Sequence, residues 1–281
     1  MKGRLIRRLT GSLMTGLTYG AAAVAVLPLA AILGMLIVKG AGSVNLDFFV
    51  KSAVPLGESG GGFAYAIVGT LIIVGLACLV GLPIGVGTGI YLAEFGGGWF
   101  GFTVRFLADI LNGTPSVVIG IVVWSLVVKP MGHFSAFAGG CALAIILVPI
   151  VARTTEEMVR LVPNSLREAA LALGYPRWRT SLFVVVRTAR AAIVTGCLVA
   201  VARVAGETAP LLFTAFGNQF FSTRILQPMA ALPLQIYDYA VGPYDDWHRL
   251  AWAGALVLIG LVLVLSLVAR LVVGRGARRH A

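Results

Sequence analysis

Three ionisable residues stand where the sequence around them is apolar: Arg153 in ALAIILVPIVARTTEEM, and Arg203 and Glu207 in GCLVAVARVAGETAPLLF. In a bilayer core a charge costs roughly 2.5–3.5 kcal/mol on insertion scales, so each such residue marks a pathway or a partner. Arg203 and Glu207 are four residues apart and share one face if the helix continues, which predicts that Glu207 pairs with Arg203. Arg153 then leaves a guanidinium without a carboxylate, and a guanidinium offers two parallel donors that match a tetrahedral oxyanion. A partly neutralised arginine attracts an anion without trapping it, which passage requires. Arg203 and Arg153 are therefore expected to line an anion path, with Glu207 moderating Arg203. Asn112, Thr114 and Ser116, in LNGTPSVVIG, join them as path candidates. Pro115 removes a backbone donor there, leaving either a kink closed by Thr114 or Ser116 or a broken helix that lines a cavity.

A second constellation is mechanical. In VPNSLREAALALGYPRWRT, residues 162–180, Ser165 and Glu168 have the spacing of a capping box, and Gly174 followed by Pro176 supplies a stop. The enclosed helix has about two turns, roughly 12 Å, and is too short to be stable alone. Leu166, Ala169, Ala170 and Leu173 fall on one apolar face, flat enough to enter a groove. Arg167, Arg177 and Arg179 flank it. From residues alone, docking into a partner and lying on lipid headgroups remain equally open.

Other chemistry is poorly supplied. Cys78, Cys141 and Cys197 are an odd set inside apolar runs, and His133, His248 and His280 are scattered, so neither a disulfide framework nor a metal site is expected. The run GVGTG has no preceding strand, and no G-x-x-x-x-G-K-[ST] occurs anywhere. The chain is expected to hold no cofactor and no nucleotide of its own, so any use of ATP would have to come from a partner.

The elements that must position these residues follow from composition. Of the 281 residues 59% are hydrophobic, and a mean hydropathy of +0.95 exceeds what a soluble surface tolerates. A span needs about 20 apolar residues. Four runs are clear, Leu17 to Val38, Phe63 to Ala93, Ile110 to Val128 and Leu250 to Ala269; two more carry arginines, from Met131 past Arg153 and from Leu182 past Arg203. The expectation is an all-α polytopic protein of six transmembrane helices. Gly81, Gly85 and Gly89 open one face of the second helix to a close neighbour, and Pro83 predicts a kink there.

The net charge of +11 does not indicate nucleic acid, because the basic residues fall at membrane boundaries. With both termini inside, Arg4, Arg7, Arg105, Arg160, Arg167, Arg177, Arg187 and Arg275 lie at or within the cytoplasmic side, and only Lys39, Lys51, Lys129, Arg224 and Arg249 lie outside. The first apolar run is too long for a secretory signal and is expected to stay. The outside loops, residues 39–62 and 207–249, have near-balanced charge. The second carries Phe213, Phe216, Phe220, Phe221, Tyr237, Tyr239, Tyr244 and Trp247, suited to headgroup anchoring or to an external partner. The expected divisions are a basic cytoplasmic start at 1–16, a first span with its loop at 17–62, a core at 63–273 and a cytoplasmic tail at 274–281.

The strings PIGVGTGIYLAEF, LNGTPSVVIG, VARTTEEM, REAALALG and ARVAGETAPLLFTAF, in this order, resemble the PstA-type permeases of phosphate ABC importers. REAALALG resembles the EAA loop of type I (MetI-like) ABC importer permeases, here residues 163–180. Glu168, Ala169, Ala170 and Gly174 match its motif positions, which favours docking over lipid for that helix. The resemblance implies import of inorganic phosphate across a bacterial cytoplasmic membrane by alternating access. It also implies a heterodimer with a PstC-like sister permease, two ATPase subunits gripping the short helix, and an external phosphate-binding protein. ARVAGE is also similar to molybdate and sulfate importer permeases, so another oxyanion is an alternative. An ion-driven secondary transporter is a further one, but it would need inverted repeats that the sequence does not contain. A membrane sensor without transport is the third.

Overall fold

The structure is a computed structural model and describes residues 2–54 and 60–278. The tail residues Arg279 and His280 and the loop residue Glu58 lie outside the described residues. The chain is all-helical, and the single β pairing among the described residues is an isolated bridge between Phe216 and Met229. Five helices are long and apolar enough to cross a membrane. A bent pair makes a sixth crossing if its two arms count as one.

The first of these, α1 (Lys2–Gly40), begins well before Leu17 because nothing in the preceding basic residues breaks a helix. A one-turn α2 (Leu46–Val50) follows, capped by Asn45, whose Oδ1 accepts from the Phe48 amide at 2.9 Å. The next span, α3 (Ala64–Glu94), matches the second apolar run to within a residue. The third run does not form the continuous helix expected from Ile110 to Val128. Instead α4 (Gly98–Gly113) and α5 (Ser116–Val123) meet at 102° across Thr114 and Pro115, and the chain continues through a π-helical turn, Trp124–Val128, into α6 (Lys129–Met131). Pro115 cannot donate to the helix before it, and Thr114 relieves part of the exposed end by donating its hydroxyl to the Ile110 carbonyl at 2.8 Å. The bend far exceeds an ordinary proline kink.

Next, α7 (Ala136–Arg160) packs along α3 in the most extensive contact of the molecule. The three glycines explain the closeness: a Cβ on Gly85 would stand 2.7 Å from the Val151 Cβ, and one on Gly89 would stand 2.5 Å from the Ala152 carbonyl oxygen. Ile73, Ala77, Leu143, Leu147 and Val151 fill the core between them. After the short α8 (Asn164–Ala172), one continuous helix runs from Arg177 to Ala205. It comprises α9 (Arg177–Arg179), a π-helical stretch, Thr180–Val185, and α10 (Val186–Ala205). Beyond it α11 (Ala209–Leu212) and α12 (Leu232–Val241) fold back against α5 and α3 before the last span, α13 (Asp245–Arg278).

The opposite end of the bundle from α8 is closed by aromatic packing. Phe48 and Phe63 are fully buried, Tyr239 meets Phe63 edge-on at 5.0 Å, and Trp247 stacks on Tyr239 at 4.6 Å. Tyr239 and Trp247 thus serve internal packing, whereas Phe216, Phe220 and Phe221 remain exposed.

The glycine contacts predict a selective sensitivity. Gly89→Leu should destabilise the detergent-purified protein by at least about 1–3 kcal/mol through forced separation of α3 and α7. Gly87→Leu, where a Cβ meets nothing within 4 Å, should leave the midpoint of thermal unfolding nearly unchanged.

Candidate functional site

The short helix α8 is built differently at its two ends. The expected capping box does not form: the N-cap is Pro163, with φ −58° and ψ 140°, and no side chain caps the helix. Proline fixes the entry two residues earlier than Ser165 requires, so Ser165 and Glu168 both lie within the helix and too far along it to serve the first amides. The far end follows expectation. Gly174 takes φ +82°, its amide donates to Leu171, and the Tyr175 amide reaches back to Ala170. These two bonds make a Schellman turn, with Pro176 preventing continuation.

The four-residue apolar face divides. Ala170 is buried against the chain, while Leu166, Ala169 and Leu173 stay exposed, Leu173 by 79%. The inward side is polar. Arg167 binds Glu94 Oε1 through Nε at 3.0 Å and Nη2 at 2.8 Å, and it also donates to the carbonyls of Val159 and Val162. The Ser181 hydroxyl lies 2.9 Å from the second Glu94 oxygen. Both charges are withdrawn from solvent, with side-chain exposure of 19% for Arg167 and 9% for Glu94. One guanidinium therefore fastens α8 to the end of α3 and covers the last carbonyls of α7, while Glu94 reaches on to the start of the Arg177 helix.

A second ionic cluster lies beside it. Glu156 is only 2% exposed and is met by Arg105 Nε at 2.7 Å, Arg160 Nη2 at 2.7 Å and Arg153 Nη1 at 3.5 Å. Arg105 also donates to the Leu92 and Gly96 carbonyls, at 2.7 and 2.9 Å, which closes the C-terminal end of α3. Arg153 is held in a fork by Asp109 at 2.9 and 2.8 Å. The expectation of an uncompensated Arg153 is therefore corrected: two carboxylates contact it, one of them on α4, which a count of charges in the fourth and fifth spans could not include.

The expected pair of Arg203 with Glu207 is also absent. Helix α10 ends at Ala205, Gly206 caps it, and the Glu207 amide turns back to Val204, so the four-residue spacing no longer shares a helical face. Among the described residues neither side chain forms an ion pair. Arg203 is exposed and Glu207 half-buried. Asn112 and Thr114 lie at the 102° bend and Ser116 opens α5, so these three are gathered at one corner, with Asn112 exposed. Arg153 lies on α7 in its own ionic cluster.

Glu94, Glu156, Asp109 and Arg105 were not singled out in the sequence, and Arg167 was read only as a flank. A signal existed for two of them: Glu94 ends a long apolar run and Glu156 follows another, where a lone carboxylate must find a cation.

A family model described as "Binding-protein-dependent transport system inner membrane component" matches residues 85–279. The phosphate transport system permease protein PstA of Haemophilus influenzae is 47% identical over 94% of this chain and 94% of its own length. PstA of Xylella fastidiosa strain 9a5c is 51% identical over 84% and 82%, and a probable PstA of Methanocaldococcus jannaschii is 37% identical over 94% and 94%. Among solved structures, an inward-facing form of the MetNI methionine ABC transporter superposes with a TM-score of 0.64 at 18% identity, covering 76% of this chain and 95% of that one. That last likeness concerns the fold alone.

The ionic cluster generates a contrast in stability. Glu156→Leu should cost about 1–3 kcal/mol, because it takes the carboxylate from Arg105, whose side chain is 22% exposed, while Arg153 keeps Asp109. Asp109→Asn, whose side chain is 52% exposed, should cost less than about 1 kcal/mol. Denaturation of the purified protein by heat reads both.

Proposed function

The chain belongs to the binding-protein-dependent transport system inner membrane component family, and from that premise we propose how it works as the membrane permease of a phosphate importer. Its relatives carry the phosphate reading: several at 44–51% identity over most of the chain are named phosphate transport system permease PstA.

The rest is inference from geometry. The exposed strip Leu166, Ala169 and Leu173 is offered to an ATPase subunit, which binds ATP and Mg and hydrolyses the nucleotide, while this chain only moves. The observation that supports this assignment is the asymmetry of α8: its outward side is apolar and uncovered, and its inward side is fixed by a nearly buried ion pair to α3. An isolated two-turn helix would unfold under load. Here force on α8 passes through Arg167 to Glu94 and α3, and through Gly174 to the Arg177 helix, so both flanking spans are displaced together. Alternating access follows if those displacements open one face of the bundle while closing the other.

Two ATPase subunits require two such permeases, and a PstC-like sister chain would face this one across the path, with an external phosphate-binding protein delivering the anion. Arg203 suits the path because it is exposed and without a carboxylate partner, so its guanidinium is free to meet an oxyanion. Glu207, just past the end of α10, sets the local charge without quenching it, and Asn112, Thr114 and Ser116 add polar groups at the bend. Arg153, held by Asp109 and Glu156, is better suited to fixing α4 against α7 than to touching the anion. Both termini lie in the cytoplasm of a bacterial cell with the membrane crossed by the apolar helices, as the distribution of arginine supports.

Two variants test the halves separately. Leu173→Asp or Gly174→Val should reduce ATPase co-purification at least tenfold on the scale of a lost apolar anchor, with membrane insertion intact. Normal co-purification in both would sink the docking assignment. Arg203→Gln should preserve the complex and lower phosphate uptake by about tenfold or more; unchanged uptake kinetics would make Arg203 structural.

A further inference from the structure

Helix α12 does not begin at the outer surface. Its first residue, Leu232, lies against Thr70, six residues beyond the outer start of α3 at Ala64 and so about 9 Å into the bundle at 1.5 Å per residue. The chain leading to it dips in from the exposed loop that ends at Gln227 and emerges again at Tyr237. Between these points seven successive residues, from Met229 to Gln235, are buried, Leu232 completely. Met229, Ala231 and Leu234 belong to the main core with Leu211 and Val204, the neighbour of Arg203, while Ala230 and Leu232 join the outer aromatic cluster of Phe63 and Tyr65. This re-entrant segment is an apolar stopper in the outer part of the bundle.

One helix holds it. Gly69 lets the Ala230 carbonyl meet the α3 backbone, since a Cβ there would overlap that oxygen. One residue further, the Thr70 hydroxyl donates to the Ala66 carbonyl at 2.8 Å and accepts from the Leu232 amide at 2.7 Å. Thr154, Thr188 and Thr195 return their hydroxyls to their own helices in the same way but take no amide from another element. The Leu232 amide is the first of α12 and has no acceptor within its own helix. In so apolar a setting the loss of Thr70 would strand it. The segment is preceded by residues 213–228, which form no helix or strand, so it can travel with α3 without unwinding a span. At its far end α3 is held by α8, through Glu94 and Arg167. Thr70 and Glu94 stand 24 residues apart on that one helix, roughly 36 Å.

We propose that Thr70 is a positioning residue for transport, the latch by which α3 carries the re-entrant segment; this rests on the importer reading above. Force on α8 reaches α3 through Arg167 and Glu94. The same helix delivers the displacement to the stopper through the Thr70 hydroxyl and the Gly69 contact. The motion received at the inner end thereby shifts the closure at the outer end, which alternating access requires. Thr70 touches no anion and acts through Leu232.

The assembled transporter, reconstituted in liposomes with its ATPase and external binding protein, tests this through the ratio of phosphate taken up to ATP hydrolysed. Thr70→Val keeps the shape and removes the acceptor for the Leu232 amide, whereas Thr70→Ser keeps the acceptor. The valine variant should still hydrolyse ATP and lower the ratio about tenfold, and the serine variant should hold it within about twofold of normal. A ratio unchanged by valine, or lowered equally by both substitutions, overturns the latch. Hydrogen–deuterium exchange of residues 229–235 gives a second reading that needs no variant to fold. In the unsubstituted transporter their protection should differ between the nucleotide-free and the vanadate-trapped states, and identical protection overturns the proposal. If the unsubstituted transporter takes up no phosphate, it is the importer reading that fails, while the exchange measurement still decides the latch.

Discussion

Two carboxylates withdrawn from solvent at one end of the bundle, Glu94 and Glu156, are the constraint on which the remaining arrangement depends. An unpaired charge there would be costly, and the cations that reach the two acids come from different helices: Arg167 from α8, Arg105 from α4, and Arg153 and Arg160 from α7 itself. Satisfying two acids therefore ties four elements together, α8 to α3 and α4 to α7. The same guanidiniums also cover carbonyls at the ends of α3 and α7 that have no partner within their helices. Ion pairing and helix termination are accomplished by one set of atoms.

This economy bears on α8. A helix of nine residues contributes little stability of its own, and only Ala170 among its residues is buried. What holds it is Arg167 on one side and the Gly174 turn at its end. The outward leucines are thereby presented on a firm base and not on a mobile loop, and a partner that grips them displaces helices. At the other end of the bundle no comparable ionic tie exists among the described residues, and closure there comes from Phe48, Phe63, Tyr239 and Trp247.

Much of the architecture was legible in the sequence because its signals are local. Runs such as Phe63 to Ala93 announce a span by hydropathy alone, glycines at four-residue spacing announce a close neighbour, and Gly174 before Pro176 announces a stop. The failures occurred where a long-range partner or a chain break decided the outcome. Ser165 and Glu168 have the right spacing for a cap, but Pro163 starts the helix earlier. Arg203 and Glu207 have the right spacing for a pair, but the helix stops between them. Arg153 looked unpaired because Asp109, which holds it in a fork, is 44 residues distant, and because Glu156, three residues on in the same helix, was left out of the count. Proline after Thr114 promised a kink, yet nothing local could announce a turn of 102°. The candidate path residues were identified by type, while the ionic lattice that positions the short helix was visible only once the helices were assembled.

The glycine seam between α3 and α7 carries a last consequence. Gly85 and Gly89 lie against the Val148 and Ala152 carbonyls with β-branched Val151 filling the gap, so along this part of the seam there is no compressible side-chain layer and the two helices cannot slide past each other without a clash. They form a single plank. Any rocking of the bundle must then be taken up elsewhere, at the elbow between α4 and α5 and along the Arg177 helix, so the seam divides the molecule into a stiff beam and the limbs that swing from it.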